Sequence, residues 1–429
     1  MGAYELNQMS SLKRYIVMAG IICSATHTTV YAQDSFPEVS FTGYADARLS
    51  YSSGETSWFD RGFGKTRYGT DPSGNDEFRL NLAEAALLTE IKFNWDFSGF
   101  VNVKFDPEQK HSVDIVEAFL KYNKLMDSGY RVEARLGTFY PHVSLENYDI
   151  AWTSPYSITP SAINSWIGEE IKTTGLELFA EKEFDNFALS VNGSVFGLND
   201  TAGALLFFRG WSLHDNKTTL FGEYNLPASN AISPAGMFNQ QAPYTSPHYE
   251  LDGRPGFSVG ADFELYGFFT LNTYYYDNRG DPEALVSGQY GWETDFINIG
   301  LTIDYFQSIE VFGQYMKGNT KMGPYVQGLR ASDADYESAY LMLSKQIDMH
   351  RISARFDYFR MIDNSLVEIN NNNETGHAWM IAYAADLFEG QRLIVELLHI
   401  NSTRPERVDF AIPTKSKETQ LQLSYRVTF

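Results

Sequence analysis

The sequence predicts an all-β chain: a single transmembrane antiparallel β-barrel of 16–18 strands with long loops on one side, the third of them folded inward. Three observations carry this. Segments alternating apolar and polar residues recur from residue 41 to residue 429, and the links between them alternate short and long. No run of about 18 apolar residues offers a membrane-spanning helix. The mean hydropathy of −0.30 excludes a bundle of such helices. It suits a barrel, in which only every second strand residue faces lipid.

The terminal segment Leu421-Gln-Leu-Ser-Tyr-Arg-Val-Thr-Phe429 states the rule most clearly. Leu421, Leu423, Tyr425, Val427 and Phe429 share one face, and Gln422, Ser424, Arg426 and Thr428 share the other. The same period appears in Ile91–Phe97, Val101–Phe105, Arg131–Leu136, Phe257–Leu265, Ile297–Tyr305 and Ile352–Tyr358. Strands are expected at 41–51, 80–97, 99–106, 113–123, 130–139, 173–183, 186–196, 204–212 and 217–224. They continue at 257–265, 268–277, 294–306, 308–317, 336–347, 350–361, 375–386, 392–401 and 419–429. This set numbers 18, and 16 is the neighbouring even count. Short links fall at Ser98, Phe184-Asp185, Tyr266-Gly267, Gln307 and Asp348-Met349. Long ones fall at 52–77, 140–172, 225–256, 278–293, 318–335 and 402–418. Short turns on one rim against long loops on the other are the topology of a bacterial outer-membrane barrel. A soluble sandwich also alternates, but has no reason for that rhythm. The 27 Tyr and 31 Phe suit aromatic girdles at two membrane interfaces.

Residues 1–32 read as a secretory signal: Lys13 and Arg14, the apolar stretch Tyr15–Cys23, then Val30-Tyr31-Ala32 at a cleavage site. Residues 33–429 then form the single barrel. Ile22 ahead of Cys23 argues against a lipid-attachment site. Cleavage would remove the one cysteine, which excludes disulfides and a thiol nucleophile. It would also leave the remainder one unit more acidic than the whole chain's −21, which argues against nucleic-acid binding.

Loop 140–172 holds Trp152, Trp166 and three prolines, too much apolar bulk for a wholly exposed segment. Folding inward would bury them and narrow the lumen. With the apolar face of each strand outward, the inner face of the first five strands carries Arg48, Lys92, Lys104, Lys121, Arg131 and Arg135. Asp46, Glu90, Asp96, Glu117 and Glu133 lie among them, and the loop adds Glu146, Asp149, Glu169 and Glu170. A basic wall facing an acidic loop would set a transverse field across a pore constriction. Alternatively, the same charges simply line a wide, wet lumen.

The run Gly137-Thr-Phe-Tyr-Pro141 followed by Leu145-Glu146 resembles the fifth-strand exit and third loop of Gram-negative outer-membrane porins, closest to their phosphate-selective (O/P-type) relatives. The resemblance implies a 16-strand barrel, a third loop that constricts the channel, and a homotrimer. It departs from phosphate selectivity, because inward acids nearly match inward bases; weak cation preference or poor selectivity is expected instead.

The expected function is passive diffusion of small hydrophilic solutes or ions through a water-filled barrel in the outer membrane. A channel specific for one solute class (phosphate, organic acid, sugar or peptide) and a non-conducting structural or adhesive barrel are the alternatives. Enzyme activity is not expected, since the scattered histidines assemble no catalytic pattern, and no cofactor or metal motif occurs. Outer-membrane lipid and lipopolysaccharide are the surroundings such a barrel implies. Asp333, Asp335 and Glu337 could hold divalent cations that bridge lipopolysaccharide, though a solvated charge run is the simpler reading and the one favoured. Loop 225–256, rich in proline, could contact a partner.

Overall fold

The computed structural model describes residues 36–71, 73–304, 309–365 and 371–429. The signal segment 1–32 and the link at Gln307 lie outside the described residues. Sixteen antiparallel strands close into one barrel, each paired with its sequence neighbours. They are β1 (Glu38–Ser53), β2 (Glu77–Lys92), β3 (Phe97–Phe105), β4 (Val113–Leu125), β5 (Tyr130–Phe139), β6 (Thr173–Glu183), β7 (Phe187–Gly197) and β8 (Gly256–Leu265). The second half comprises β9 (Phe269–Asp277), β10 (Glu293–Ile303), β11 (Glu310–Val326), β12 (Leu329–Ile347), β13 (His350–Asp363), β14 (Glu374–Phe388), β15 (Gln391–Thr403) and β16 (Lys415–Thr428). β16 closes on β1 in a register running from Tyr44 opposite Thr428 to Ser53 opposite Thr419.

The sheet is inside out relative to a soluble one. In β16, Leu421, Leu423 and Tyr425 are 45%, 37% and 38% exposed, whereas Gln422, Ser424 and Arg426 are 2%, 0% and 6% exposed. Exposed apolar rows recur around the wall, for example Leu176 and Leu178, Ile297, Ile299 and Leu301, and Trp379, Ile381 and Tyr383. Such an outer band is stable only against hydrocarbon. Among the described residues no helix is long and apolar enough to cross a membrane.

Four expectations need correction. Residues 204–212 and 217–224 are not strands of the barrel. The run Ala204-Leu-Leu-Phe-Phe208 has no period-2 alternation, and periodicity alone cannot separate such a run from a buried helix. It forms helix α2 (Ala204–Arg209), bounded by Gly203 and Gly210, which both have positive φ. The strand expected over 80–97 turns at 93–96, where the Asn94 carboxamide oxygen accepts from the amides of Asp96 and Phe97, both at 2.9 Å. Ser98 therefore lies inside β3. Residues 318–335, expected as a loop, are the far ends of β11 and β12, joined by Gln327-Gly328 with both φ positive, as a tight hairpin turn requires. Asp333, Asp335 and Glu337 thus sit on a strand, where the Asn319 carboxamide donates to Asp333 at 2.8 Å and to Asp335 at 2.9 Å.

Eight long-side connections result: L1 (54–76), L2 (106–112), L3 (140–172), L4 (198–255), L5 (278–292), L6 (327–328), L7 (364–373) and L8 (404–414). Gly137, two residues before the end of β5, has φ +140, and a Cβ there would collide with the Ala118 carbonyl of β4. Only glycine takes that backbone conformation so close to the neighbouring strand, just ahead of the exit into L3.

Candidate functional site

The lumen is where chemistry concentrates, and loops fill it. L3 leaves β5 and crosses to the opposite wall. The Gln314 amide of β11 donates to the Val143 carbonyl at 2.7 Å, and Tyr156 donates to Glu310 at 2.7 Å. Arg355 of β13 reaches Glu146 at 2.6 Å, and the Ile158 amide donates to Glu396 of β15 at 2.7 Å. The loop returns through helix α1 (Ala162–Glu170), capped by the Ser161 hydroxyl, all of whose residues are buried.

L4 sweeps around the inner wall above it. Thr294 of β10 donates to the Ala202 carbonyl at 2.6 Å, and the Trp211 indole donates to the Arg360 carbonyl of β13 at 3.1 Å. The Leu220 amide then donates to the Ile115 carbonyl of β4 at 2.9 Å. Trp166 of α1 packs edge-on against Trp211, Phe296 and Tyr336. Around them Phe207, Phe208, Leu205, Tyr276, Met316 and Met380 form one buried apolar cluster. The inner face of β9–β15 is therefore largely apolar, while that of β1–β7 is polar.

The two loops are clamped by charge. Arg209 grips Glu169 through both terminal nitrogens at 2.7 Å. His214 Nδ1 accepts from the Asn216 amide, and its Nε2 faces Glu169 at 2.7 Å. Burial alone would raise the Glu169 pKa; Arg209 and His214 outweigh it and hold it at about 2. Glu170 caps α2, accepting from the Leu205 amide at 2.9 Å and the Trp166 indole at 2.7 Å. Burial lifts its pKa to about 7 against those bonds.

The sequence-derived constriction set is split by this arrangement. Arg48 and Lys104 line the inner wall but meet L4 rather than L3. Arg48 contacts Asp46 at 2.8 Å and Asp215 at 2.7 Å, and Lys104 donates to the Lys217 carbonyl at 2.8 Å. Arg135 is buried against Glu177 and the Tyr140 carbonyl. Lys92, Lys121 and Arg131 stand at the short-turn end, paired with Glu38, Glu133 and Glu181 and partly or well exposed. Of the loop acids, Glu146, Glu169 and Glu170 are wholly buried in the packing described above, and Asp149 is exposed, capping the Ile150 amide at 2.8 Å. Among the described residues none of these six bases pairs with any of the four loop acids: Glu146 meets Arg355 of the far wall, Glu169 meets Arg209 and His214 of L4, and Glu170 caps α2.

The sequence reading missed Arg355, Arg426, Asp215 and Lys217. Arg355 and Arg426 are the polar-parity cations of β13 and β16, and extending the parity argument past the fifth strand would have found them. Asp215 and Lys217 fell in or beside an expected strand and left no such signal. Where L3 and L4 meet the wall, Tyr44, Asp46, Arg48, Glu84, Trp152, Asp215, Lys217 and Arg426 enclose a gap of about 10 Å³. That is near the room one water needs, ~10–15 Å³. Among the described residues one group of carboxylates could hold a cation: Asp200, Glu250 and Asp252, with ligand oxygens within 4.8 Å of one another.

Glu170 makes L3–L4 packing pH-dependent. Its packed pKa lies above the ordinary glutamate value, so below about pH 4 Glu170 is protonated in both the packed and released states and its own contribution to packing is full. As pH rises toward 7 the released carboxyl ionises first, and packing weakens by about 3 kcal/mol in total. Channel open probability in a planar bilayer should rise over that window in the wild type. Glu170→Gln, which keeps an acceptor for the Leu205 amide, should flatten the rise.

Architecturally, this is a sixteen-stranded antiparallel barrel of the kind found in bacterial outer-membrane porins. The outer membrane channel DcaP of Acinetobacter baumannii superposes with a TM-score of 0.56 at 10% identity, over 93% of this chain and 99% of that one. For the anion-selective porin from Comamonas acidovorans the TM-score is 0.51 at 12% identity, over 91% and 99%. For OmpT, an outer membrane protein of Vibrio cholerae, it is 0.51 at 9% identity, over 94% and 100%. At such identities the likeness is one of fold. The sequence matches no protein-family model and no curated protein.

Proposed function

We propose that this chain is an outer-membrane solute channel of the porin kind whose lumen is held shut by L3 and L4, so that flux is restricted and solute-dependent rather than that of an open pore. The observation that carries the reading is the pair of loops crossing an inside-out barrel, with charged wall residues beneath them. A purely structural barrel would have no use for the Asp46–Arg48–Asp215 and Glu84–Lys217 pairs beside the residual gap, buried charge that costs desolvation. With Arg426 beside Asp46, three acids (Asp46, Glu84, Asp215) meet three bases (Arg48, Lys217, Arg426) around the gap, and the fixed charges cancel locally. This favours weak ion selectivity over the phosphate preference of the O/P-type relatives. On the resemblance of the Gly137–Pro141 segment, we further propose a homotrimer, set in lipid and lipopolysaccharide, exported by a signal at 1–32 and without enzymatic activity.

Refolded protein in a planar bilayer under a salt gradient tests this. Brief, small openings with a reversal potential close to zero are expected. Large, steady ohmic steps would overturn the closed lumen, and a strong anion preference would overturn the weak selectivity.

A further inference from the structure

On the long-loop rim, L1, L2 and L4 converge on a groove of about 300 Å³, at the small end of the range for ligand sites. Two half-buried aromatic rings line it, Phe59 from L1 and Tyr244 from L4. Tyr244 is held by a two-residue ladder with Tyr224 and Asn225, and the Asn225 carboxamide donates to the Phe59 carbonyl at 3.1 Å. The backbone that carries both rings is therefore fixed before any ligand arrives. At the floor, Gln109 donates through Nε2 to Asn216 at 2.8 Å and to the Lys217 carbonyl at 3.0 Å. Its Oε1 is buried without a partner, an acceptor left over in a polar floor.

The charges in the groove are already spent. Glu108 accepts from Arg67 Nε at 3.0 Å, and Lys110 pairs with Glu223 while sitting 5.7 Å from the centre of the Tyr244 ring. An anion or cation entering would have to break one of these pairs. A neutral ligand would not. Aromatic faces beside planar amides and paired carboxylates suit a pyranose, whose C–H face stacks on a ring while its hydroxyls bond the edges.

We propose that this groove is a capture site for neutral saccharides at the mouth of the channel. The proposal rests on the channel reading and names its solute class. The floor gives it a route inward: Asn216 and Lys217 belong to the L4 stretch that covers Lys104 and Glu84 on the wall. A sugar that pulls on Gln109 therefore acts on the segment closing the lumen.

The test is equilibrium binding of maltose and sucrose to the refolded full chain in detergent, with choline and citrate as charged controls. Saturable binding of at least one disaccharide, indifferent to salt, is expected. Phe59→Ala and Tyr244→Ala should weaken it by about tenfold or more, and Tyr244→Phe, which keeps the ring, should retain it. The faster gel migration of unheated barrels establishes that each variant is folded. No saturable binding of either sugar, binding unaffected by both alanine substitutions, or preference for choline or citrate would overturn the proposal. Because binding is read without conductance, a silent bilayer would remove the channel reading and leave this result standing on its own.

Discussion

Replacing residues 203–218 of L4 with a Gly/Ser segment of equal length is expected to turn small, brief openings into steady steps at least about tenfold larger, the size a sixteen-strand aqueous barrel supports. The substitution deletes α2, Trp211, Arg209, His214, Asp215 and Lys217 together. With them go the side-chain ties from L4 to Glu169, Arg48 and Glu84. The barrel ladder itself uses none of these residues, so folding should persist and can be checked by the migration of unheated protein. Conductance unchanged by the replacement would show that L4 does not close the path.

The second large effect is at Arg355. This guanidinium bonds Glu146 at 2.6 Å, Asp357 at 2.8 Å and the carbonyls of Thr159 and Pro160 at 2.8 and 2.9 Å, all in full burial. Arg355→Met leaves two buried carboxylates without their cation, a loss of about 3–5 kcal/mol where such a pair is broken from one side. It should free the middle of L3 from β13, seen as current noise and as new protease cleavage within 140–172. Arg131→Gln is the control. Its pair with Glu181 is half exposed, worth about 0–1 kcal/mol, and should change neither readout. Equal protection of L3 in wild type and Arg355→Met would rule out this anchor.

The wall was legible in the sequence because lipid on one side and polar contacts on the other force a period of two. β16 shows the rule in every residue from Leu421 to Arg426. The rule failed wherever both faces are apolar. In β14 the run Ala378-Trp-Met-Ile-Ala382 places Trp379 and Ile381 in lipid and Met380 against the loops, so alternation disappears. That run was itself a clue that the lumen beside it is filled, since continuous apolar stretches mark strands covered on both faces. The loop-filled interior was half visible. Trp152 and Trp166 announced an inward L3, but α2 passed for a strand because Ala204–Phe208 is short, apolar and without period. The constriction residues suffered from the same gap. Parity correctly put Arg48, Lys104 and Arg135 inside, yet it carries no information on height. Lys92, Lys121 and Arg131 therefore seemed equivalent to them while standing at the rim. Which acid meets which base depends on loop paths, and nothing in the spacing of Glu146, Glu169 and Glu170 records those.

The register in which β1 meets β16 has a kinetic meaning. Tyr44 faces Thr428, so the final ladder joins segments separated by nearly all of the described chain. Every other strand pair forms between immediate neighbours and can zip locally. This last seam repays its loop entropy only at the end, which makes it the slow step of assembly. Until it forms, two unsatisfied sheet edges stay open, each a template for pairing with another chain. The nascent barrel is therefore most prone to aggregate in the interval just before it becomes a cylinder, and a host factor that holds those two edges would speed its biogenesis more than any other assistance.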